Sequence, residues 1–137
     1  MLRMKKEKII NSIRNNCNVC LKPSTVCDGV GVFALIDIPE GTELFADLKP
    51  DKDFISWDEI GQIPSEVKKY LSNICLFAPE GIYLSRTTSA INLSYYINHS
   101  ENYNVFHILK RDKYITTRDI KKGEEILCLY TEDEIDW

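Results

Sequence analysis

Apolar residues recur at helical spacing in two segments of the chain. Residues 2–15 place lysines on one face and, near the opposite face, the apolar side chains Leu2, Ile9, Ile10 and Ile13. The segment "IPSEVKKYLSNIC" carries a longer apolar stripe, formed by Ile63, Val67, Tyr70, Leu71 and Ile74. Its proline, Pro64, stands in the first turn, where a missing N–H group is tolerated. Both segments are therefore predicted to be helices.

Shorter apolar runs, separated by turns that contain Gly or Pro, predict strands in the rest of the chain. "GVGVFALIDIPEGTELFADL" reads as two strands around a turn, the second starting at Glu43. Residues 50–62 are polar, with Trp57 and Ile60 as apolar anchors. After the second helix we expect a short strand at 82–85, a hairpin at "VFHILKRDKYITTRDI" and a buried strand at "ILCLY". The pattern predicts a mainly β domain with a few short helices.

The net charge of the chain limits the kind of molecule that it is expected to bind. The chain has 137 residues, the size of one domain, and a net charge of −4. This balance argues against direct nucleic-acid binding through a broad basic face and fits a cationic partner. No window is apolar enough to cross a membrane, and "MLRMKKEKII" lacks the apolar part of a signal peptide. We expect an intracellular protein with no membrane partner, cytoplasmic or, in a eukaryote, nuclear.

The five cysteines are an odd number, which favours reduced thiols over a disulfide framework. Cys17, Cys20 and Cys27 form an incomplete zinc set that His99 or His107 could complete by folding back. The favoured interpretation is small apolar side chains near a chain terminus. A small zinc-binding interaction module is the weaker alternative.

Three motifs contain candidate functional residues. "INLSYYINHSENYNV", residues 91–105, has many amide groups among apolar side chains, and the Asn98 amide can donate and accept hydrogen bonds at once. The glycines of "DGVGVFA" permit close approach of a ligand to the backbone, although the third glycine of a dinucleotide fingerprint is missing. Tyr130 ends an apolar strand, so its hydroxyl lies either at the surface or in a pocket. Trp137 is expected to fold back and stack on a flat group.

The order of these motifs resembles a known family. "GVGVFALIDIPEGTELF", "INLSYYINHSENYN" and "YITTRDIKKGEEILCLY" follow one another as in the SET-domain protein lysine methyltransferases. The resemblance runs from about Asp28 to the end, and "NHS" before "RDIKKGEE" and a Tyr-ended strand is its most specific part. The likeness is greatest to small, free-standing SET proteins of bacteria and large viruses.

The resemblance implies a SET-domain (β-clip) fold with a C-terminal pseudoknot and a pocket for S-adenosylmethionine. It predicts an N-terminal helix and extension at 1–27 and a single SET domain at 28–137, with an insert at about 49–90. Tyr130 matches the catalytic tyrosine. The implied cofactor-binding residues are Gly29, Val30, Gly31, Tyr95, Asn98, His99 and Trp137. Tyr96 and Cys128 are implied to line the channel through which the substrate lysine enters.

The sequence also departs from the family pattern at several positions. Tyr95 stands where arginine is frequent, and Glu101 stands where a cysteine usually follows "NHS". Before the catalytic tyrosine, Leu129 replaces a common Asp, and Cys128 takes the place of a Phe or Tyr that limits methyl number. The smaller Cys128 predicts that more than one methyl group can be added.

The implied activity is S-adenosylmethionine-dependent methylation of lysine in a protein substrate, a histone or another basic protein. The alternative is a SET-fold module that binds a partner or the cofactor with little or no turnover. The apolar N-terminal helix adds the expectation that two copies can pair as a homodimer.

Overall fold

A computed structural model describes residues 2–47, 53–84, 88–108 and 112–130. Its α-helices are α1 (Leu2–Asn16), α2 (Trp57–Ile60) and α3 (Ser65–Ile74), and two 3₁₀ helices span Thr88–Ala90 and Leu93–Tyr96. Its strands are β1 (Val19–Pro23), β2 (Val30–Ala34), β3 (Glu43–Leu44), β4 (Asp53–Ser56), β5 (Leu76–Ala78), β6 (Gly81–Leu84), β7 (Asn98–His99), β8 (Val105–Ile108), β9 (Lys113–Thr116) and β10 (Glu125–Cys128). Over these residues the fold is mainly β, as the pattern predicted.

The larger sheet has the strand order β1-β2-β10-β8-β9-β3, and β7 pairs separately with β10. β10 is antiparallel to β2 but parallel to both β7 and β8. Every residue of β10 is buried or partly buried, so both of its faces are covered, which matches the continuously apolar segment "ILC". β10 is therefore the central strand of the region that holds the predicted site residues.

The main core lies against this sheet. Val32, Val105 and Ile126, from β2, β8 and β10, are completely buried. The cluster also contains Val19, Ala34, Ile38, Leu44, Ile97, Tyr114, Ile120 and Cys128, from these strands and from the segments around them. Because both ends of the chain contribute to this cluster, its burial holds the sheet together over long sequence separations.

A second, smaller sheet has the antiparallel order β4-β6-β5 and packs with α2 and α3. Its buried residues are Leu71, Cys75 and Ile82. The predicted anchors Trp57 and Ile60 are partly buried against them, which confirms that part of the prediction. This sheet lies within the segment 49–90 predicted as an insert.

The second predicted helix is confirmed as α3, but its apolar stripe is only partly used. Leu71 is buried, whereas Val67 and Tyr70 are exposed by 42% and 49%. Ile63 and Ile74, at the two ends of the stripe, pack against the same cluster as Leu71, whereas Val67 and Tyr70 lie outside it.

Most strands were predicted at the correct positions, but fewer of their pairings were predicted correctly. The hairpin of β8 and β9 is confirmed, with Val105 opposite Thr116 and Ile108 opposite Lys113. The two strands expected around Pro39 are present as β2 and β3, but β2 pairs with β1 and β10, while β3 pairs with β9. β1 was missed, because its cysteine, lysine and proline do not alternate with apolar residues.

The predicted N-terminal helix is confirmed as α1, with Met4, Ile9 and Ile13 exposed. Pairing of two copies through this helix stays a prediction, as does the domain boundary at residue 28. β1, which precedes that boundary, pairs along its whole length with β2. Across the described ranges, none of the helices has both the length and the apolar character needed to span a bilayer.

Gly81 offers a test of the small sheet. A Cβ added there would lie 2.2 Å from the carbonyl oxygen of Ile55 on the neighbouring strand, so the pairing of β4 with β6 would have to open. We expect Gly81→Ala to lower the free energy of unfolding by about 2 kcal/mol, measured by urea denaturation.

Gly29→Ala is the matched control for this variant. Its Cβ would meet only the sulfur of Cys27, at an ordinary 3.6 Å. Its stability should stay within about 0.5 kcal/mol of the parent. Equal losses in the two variants would contradict the packing argument at Gly81.

Candidate functional site

β10 brings together segments that are far apart in the sequence. In its parallel pairing with β7, Leu127 lies opposite Asn98 and Cys128 lies opposite His99. β2, which carries the glycine motif, pairs with the other edge of β10. The residues selected from the "DGVG", "INHS" and "ILCLY" motifs therefore meet around one short strand.

Asn104 holds β10 in this position, although the sequence analysis gave it no role. It is 1% exposed. Its side-chain N–H donates to the carbonyl of Glu125, and its side-chain oxygen accepts from the backbone N–H of Leu127, both at 2.8 Å. Its backbone N–H donates to the carbonyl of Leu127 at 3.0 Å. One amide side chain thus satisfies backbone groups of β10 that a longer strand partner would otherwise satisfy.

His99 fixes the backbone of Tyr130. Its Nδ1 accepts a hydrogen bond from the Tyr130 N–H at 2.8 Å, so the accepting ring is the neutral tautomer with its proton on Nε2. The centroids of the two rings are 5.3 Å apart. His99 and Tyr130 are far apart in the sequence, and these two contacts hold them against each other.

The hydroxyl of Tyr130 is also held. It donates to the backbone carbonyl of Ile97, the buried residue immediately before Asn98. Tyr130 is nevertheless 54% exposed. The phenol is thus fixed at its oxygen while much of the residue stays accessible.

Gly31 has a steric role that the sequence did not show. A Cβ at this position would lie 2.4 Å from Oε2 of Glu125 and 3.3 Å from Nδ2 of Asn98. The space beside Gly31 is therefore taken by the carboxylate of Glu125. Gly29 has no comparable restriction, since its added Cβ would meet the sulfur of Cys27 at 3.6 Å.

The carboxylate of Glu125 is the centre of a polar network. It is 6% exposed and accepts hydrogen bonds from the hydroxyl of Ser24, from the N–H and hydroxyl of Thr25 and from Nδ2 of Asn98. Desolvation by burial would raise the pKa of Glu125, because it disfavours the charged form. The hydrogen bonds outweigh that effect, led by those from Thr25, so the pKa of Glu125 lies below its ordinary value.

The remaining predicted site residues are placed as follows. Tyr96 and Cys128, the predicted channel residues, both contribute to the main core, and Cys128 is 2% exposed. Tyr95 packs against the second core instead, so the adjacent tyrosines serve different clusters. Trp137 and the C-terminal threading expected for a pseudoknot fall on residues 131–137, outside the described part of the chain.

The two histidines considered as zinc ligands have other contacts. Nε2 of His107 lies 2.8 Å from Oδ1 of Asp112, and its ring stacks on Tyr114 at a centroid distance of 4.1 Å. Burial, and then the charge of Asp112, raise the pKa of Tyr114 well above its ordinary value. All five cysteines are free thiols. Within the described ranges, no three or more His, Cys, Asp or Glu side chains lie where they could hold a metal ion.

The SET domain family model matches residues 50–131, more than half of the chain. The chain belongs to the SET domain family. The mainly β fold with its short helices agrees with this assignment, and the predicted family membership is confirmed. No curated protein sequence matches the chain at a significant level.

Solved structures agree with the SET fold. A Plasmodium falciparum protein named "putative histone methyltransferase" matches over 84% of this chain and 94% of its own, at 19% identity and a TM-score of 0.54. The methyltransferase domain of human PR domain-containing protein 2 matches over 89% of this chain and 83% of its own, at 22% identity and a TM-score of 0.54. At these identities the likeness shows the fold alone.

A third match is the ctPRC2 complex in an autoinhibited conformation bound to S-adenosylmethionine. It is 28% identical with a TM-score of 0.54, and the aligned region covers 92% of this chain but 18% of that chain. The present chain therefore corresponds to a small part of that protein.

Sequence reasoning missed Glu125, Ser24, Thr25 and Asn104. Each is a polar residue of a type that usually lies in solvent, so its type alone gives no signal. A usable signal existed for Asn104, since it lies in the amide-rich segment whose buried members needed partners. Glu125 adjoins the "ILCLY" strand as the first residue of β10, and the donors that satisfy its buried carboxylate lie between β1 and β2.

Glu125 should contribute to the pH dependence of stability. Because its pKa is lower in the folded state than in the unfolded chain, it stabilises the fold above the ordinary glutamate pKa of about 4.3. That contribution is lost as the pH falls through the lowered folded-state pKa. We expect Glu125→Gln to be less stable at about pH 7 and to lose less stability on acidification, measured by urea denaturation across that range.

A combined Ser24→Ala and Thr25→Val variant provides the comparison. It keeps the carboxylate and the Thr25 N–H but removes two hydroxyl donors. Its dependence on pH should fall between those of the parent and Glu125→Gln. Identical pH profiles for the parent and Glu125→Gln would overturn this assignment.

Proposed function

We propose that this SET domain transfers a methyl group from S-adenosylmethionine to the ε-amine of lysine in a protein substrate. The observation that carries the proposal is the meeting of Asn98, His99 and Tyr130 at the end of β10. These are the residues that the family resemblance assigns to the cofactor and to the chemistry. Membership of the SET family and the S-adenosylmethionine bound in the ctPRC2 structure support the same cofactor here.

The described residues fit a cationic cofactor. Both N–H groups of the Asn98 side chain are used within the protein, which leaves its carbonyl oxygen as an acceptor. We assign this amide and the backbone of Gly29, Val30 and Gly31 to the methionine part of the cofactor, and the backbone of His99 to the region near the adenine. When bound, S-adenosylmethionine supplies a methyl group on a positively charged sulfur.

The predicted cofactor set contains two further residues, Trp137 and Tyr95. Trp137, in the segment that is not described, is proposed to cover the adenine. Tyr95 packs against the second core, so any contribution it makes to the cofactor site is through the position of its segment.

Tyr130 is suited to positioning the amine. Its hydroxyl proton is directed at the carbonyl of Ile97, so the phenol oxygen keeps lone pairs that can accept an N–H from the substrate lysine. Such a bond orients the nitrogen lone pair toward the transferring methyl group. The phenol therefore acts by alignment, and no strongly basic phenolate is required.

The lysine amine must be neutral to attack, although an ordinary lysine has a pKa of about 10.4. Removal from water and the nearby positive charge of the cofactor both lower that pKa. The proposed channel residues Cys128 and Tyr96 belong to the apolar core, so they can exclude water from the amine. With S-adenosylmethionine bound, these two effects would favour loss of the ammonium proton to water, so no dedicated general base is required.

The substrate is proposed to be a lysine-bearing basic segment of a protein, such as a histone tail or another basic protein. The net charge of −4 favours encounter with such a segment. The C-terminal sequence "TEDEIDW" adds four acidic residues close to Tyr130 in the sequence.

Tyr130→Phe tests the mechanism. Removal of the hydroxyl should reduce turnover about a hundredfold, because the amine loses its alignment, while affinity for S-adenosylmethionine changes little. Turnover is measured by transfer of a tritiated methyl group to histones and to a cell lysate, and affinity by calorimetry.

Tyr70→Phe is the control for this variant. It also removes a phenolic hydroxyl from a half-exposed tyrosine, but on α3, outside the site. It should leave turnover unchanged. If the parent binds S-adenosylmethionine but transfers no methyl to any substrate, the SET-fold binding module becomes the better description.

Cys128 tests the predicted number of methyl groups. Its small side chain leaves room beside the amine, so the parent should form di- or trimethyllysine, detected by mass spectrometry of the substrate. Cys128→Phe should shift the product to monomethyllysine, whereas Cys128→Ser, of similar size, should not.

The larger residue enters a core position that is 2% exposed, so folding of Cys128→Phe is first checked by circular dichroism. Only monomethyl product from the parent would contradict the prediction.

A further inference from the structure

The orientation of the Asn98 amide is determined by its neighbours. Its Nδ2 lies 2.9 Å from the carbonyl oxygen of Val30 and 3.2 Å from Oε2 of Glu125. Both of these atoms are acceptors, so the nitrogen of the amide must face them and the oxygen must face away. The direction of the amide is therefore a property of the protein before any ligand binds.

Glu125 is in turn fixed by residues near the N-terminus. Oε1 accepts from the N–H of Thr25 at 2.7 Å and from its hydroxyl at 2.8 Å, while Oε2 accepts from the hydroxyl of Ser24 at 2.8 Å. Among the described residues no cation pairs with this carboxylate. Its orientation depends on neutral donors that surround both oxygens, and it cannot turn without losing several of them.

Resting on the function proposed above, we propose that Glu125 is a positioning residue that turns the Asn98 oxygen toward the ammonium group of the cofactor. Ser24 and Thr25 complete this arrangement, because they hold the Glu125 carboxylate in the one orientation that accepts from Asn98. Glu125 itself need not touch the ligand.

Glutamine cannot replace Glu125 in this arrangement. A carboxylate offers acceptors at both oxygens, whereas an amide has one oxygen and one NH₂ group. If the Gln oxygen faces Thr25, its NH₂ meets the NH₂ of Asn98, and a flipped Asn98 would instead set its oxygen against the carbonyl oxygen of Val30. If the Gln oxygen faces Asn98, its NH₂ meets the backbone N–H of Thr25. Either placement opposes two donors, although size and shape are conserved.

The test uses the full chain and two ligands measured by calorimetry. These are S-adenosylhomocysteine and its analogue that lacks the α-amino group. Glu125→Gln should weaken binding of S-adenosylhomocysteine about tenfold, because a charge-assisted hydrogen bond is lost. It should weaken binding of the analogue, which has no ammonium group, by less than about twofold. Equal losses for both ligands would show a merely structural role and overturn the proposal, as would no loss for either.

Glu124→Gln is the matched control. This neighbouring carboxylate also accepts hydrogen bonds, from the N–H of Lys121 and from Arg118, both at 3.0 Å, but it makes no contact with Asn98. The control should bind both ligands as the parent does. A tenfold loss in this control would attribute the effect to charge alone and contradict the proposal.

A spectroscopic measurement separates failure of this inference from failure of the proposed function. In the ligand-free protein, the side-chain NH₂ resonances of Asn98 should shift in Glu125→Gln and not in Glu124→Gln, measured by ¹⁵N–¹H correlation. If the parent binds neither ligand, the cofactor assignment fails, and unshifted Asn98 resonances would then overturn the positioning role as well.

If Glu125→Gln does not fold, Thr25→Val and Thr25→Ser replace it. The valine variant loses the hydroxyl donor and should weaken S-adenosylhomocysteine about threefold, whereas the serine variant restores the affinity. Equal affinities in these two variants would overturn the proposal.

Discussion

The parallel contact of β7 with β10 is the constraint on which the candidate site depends. It sets Asn98 opposite Leu127 and His99 opposite Cys128, and it leaves Tyr130 within reach of the His99 ring. Parallel strands cannot be joined by a tight turn, so the intervening chain must travel out and return. The β8–β9 hairpin occupies that return path, and Asn104 at its start supplies the hydrogen bonds that two very short strands cannot supply.

A buried charge beside that contact links the core to the site. A carboxylate removed from water is costly unless its oxygens are hydrogen-bonded. Glu125 meets this requirement with donors from the β1–β2 loop and from Asn98, and Gly31 makes room for it by lacking a side chain. The same hydrogen bonds that stabilise the charge therefore also orient the amide assigned to the cofactor. A substitution that removes these hydrogen bonds is therefore expected to change both the stability of the fold and the orientation of the Asn98 amide.

The sequence predicted what depends on local pattern and on motif order. Periodicity located α1, α3 and the β8–β9 hairpin, and the spacing of "NHS" from "ILCLY" identified the family. The sequence pattern could not predict β1, because its cysteine, lysine and proline do not alternate with apolar residues. Nor could it predict that β2 and β3 pair with different strands and not with each other. Partners such as Thr25 for Glu125 were hidden, because they lie about a hundred residues apart and their types are ordinary surface types. Predicting them requires the pairing of β2 with β10, which only the folded chain supplies.

The long sequence separations around Glu125 have a consequence for biosynthesis. The carboxylate that orients Asn98 comes from β10, while the donors that hold it come from the first thirty residues. A nascent chain that has not yet been translated past β10 contains "INHS" but lacks the group that sets the direction of its amide. Contacts of such long range also carry a large loop-closure cost, which slows folding. The direction of the Asn98 amide is thus set only after β10 has been translated and has paired with β2.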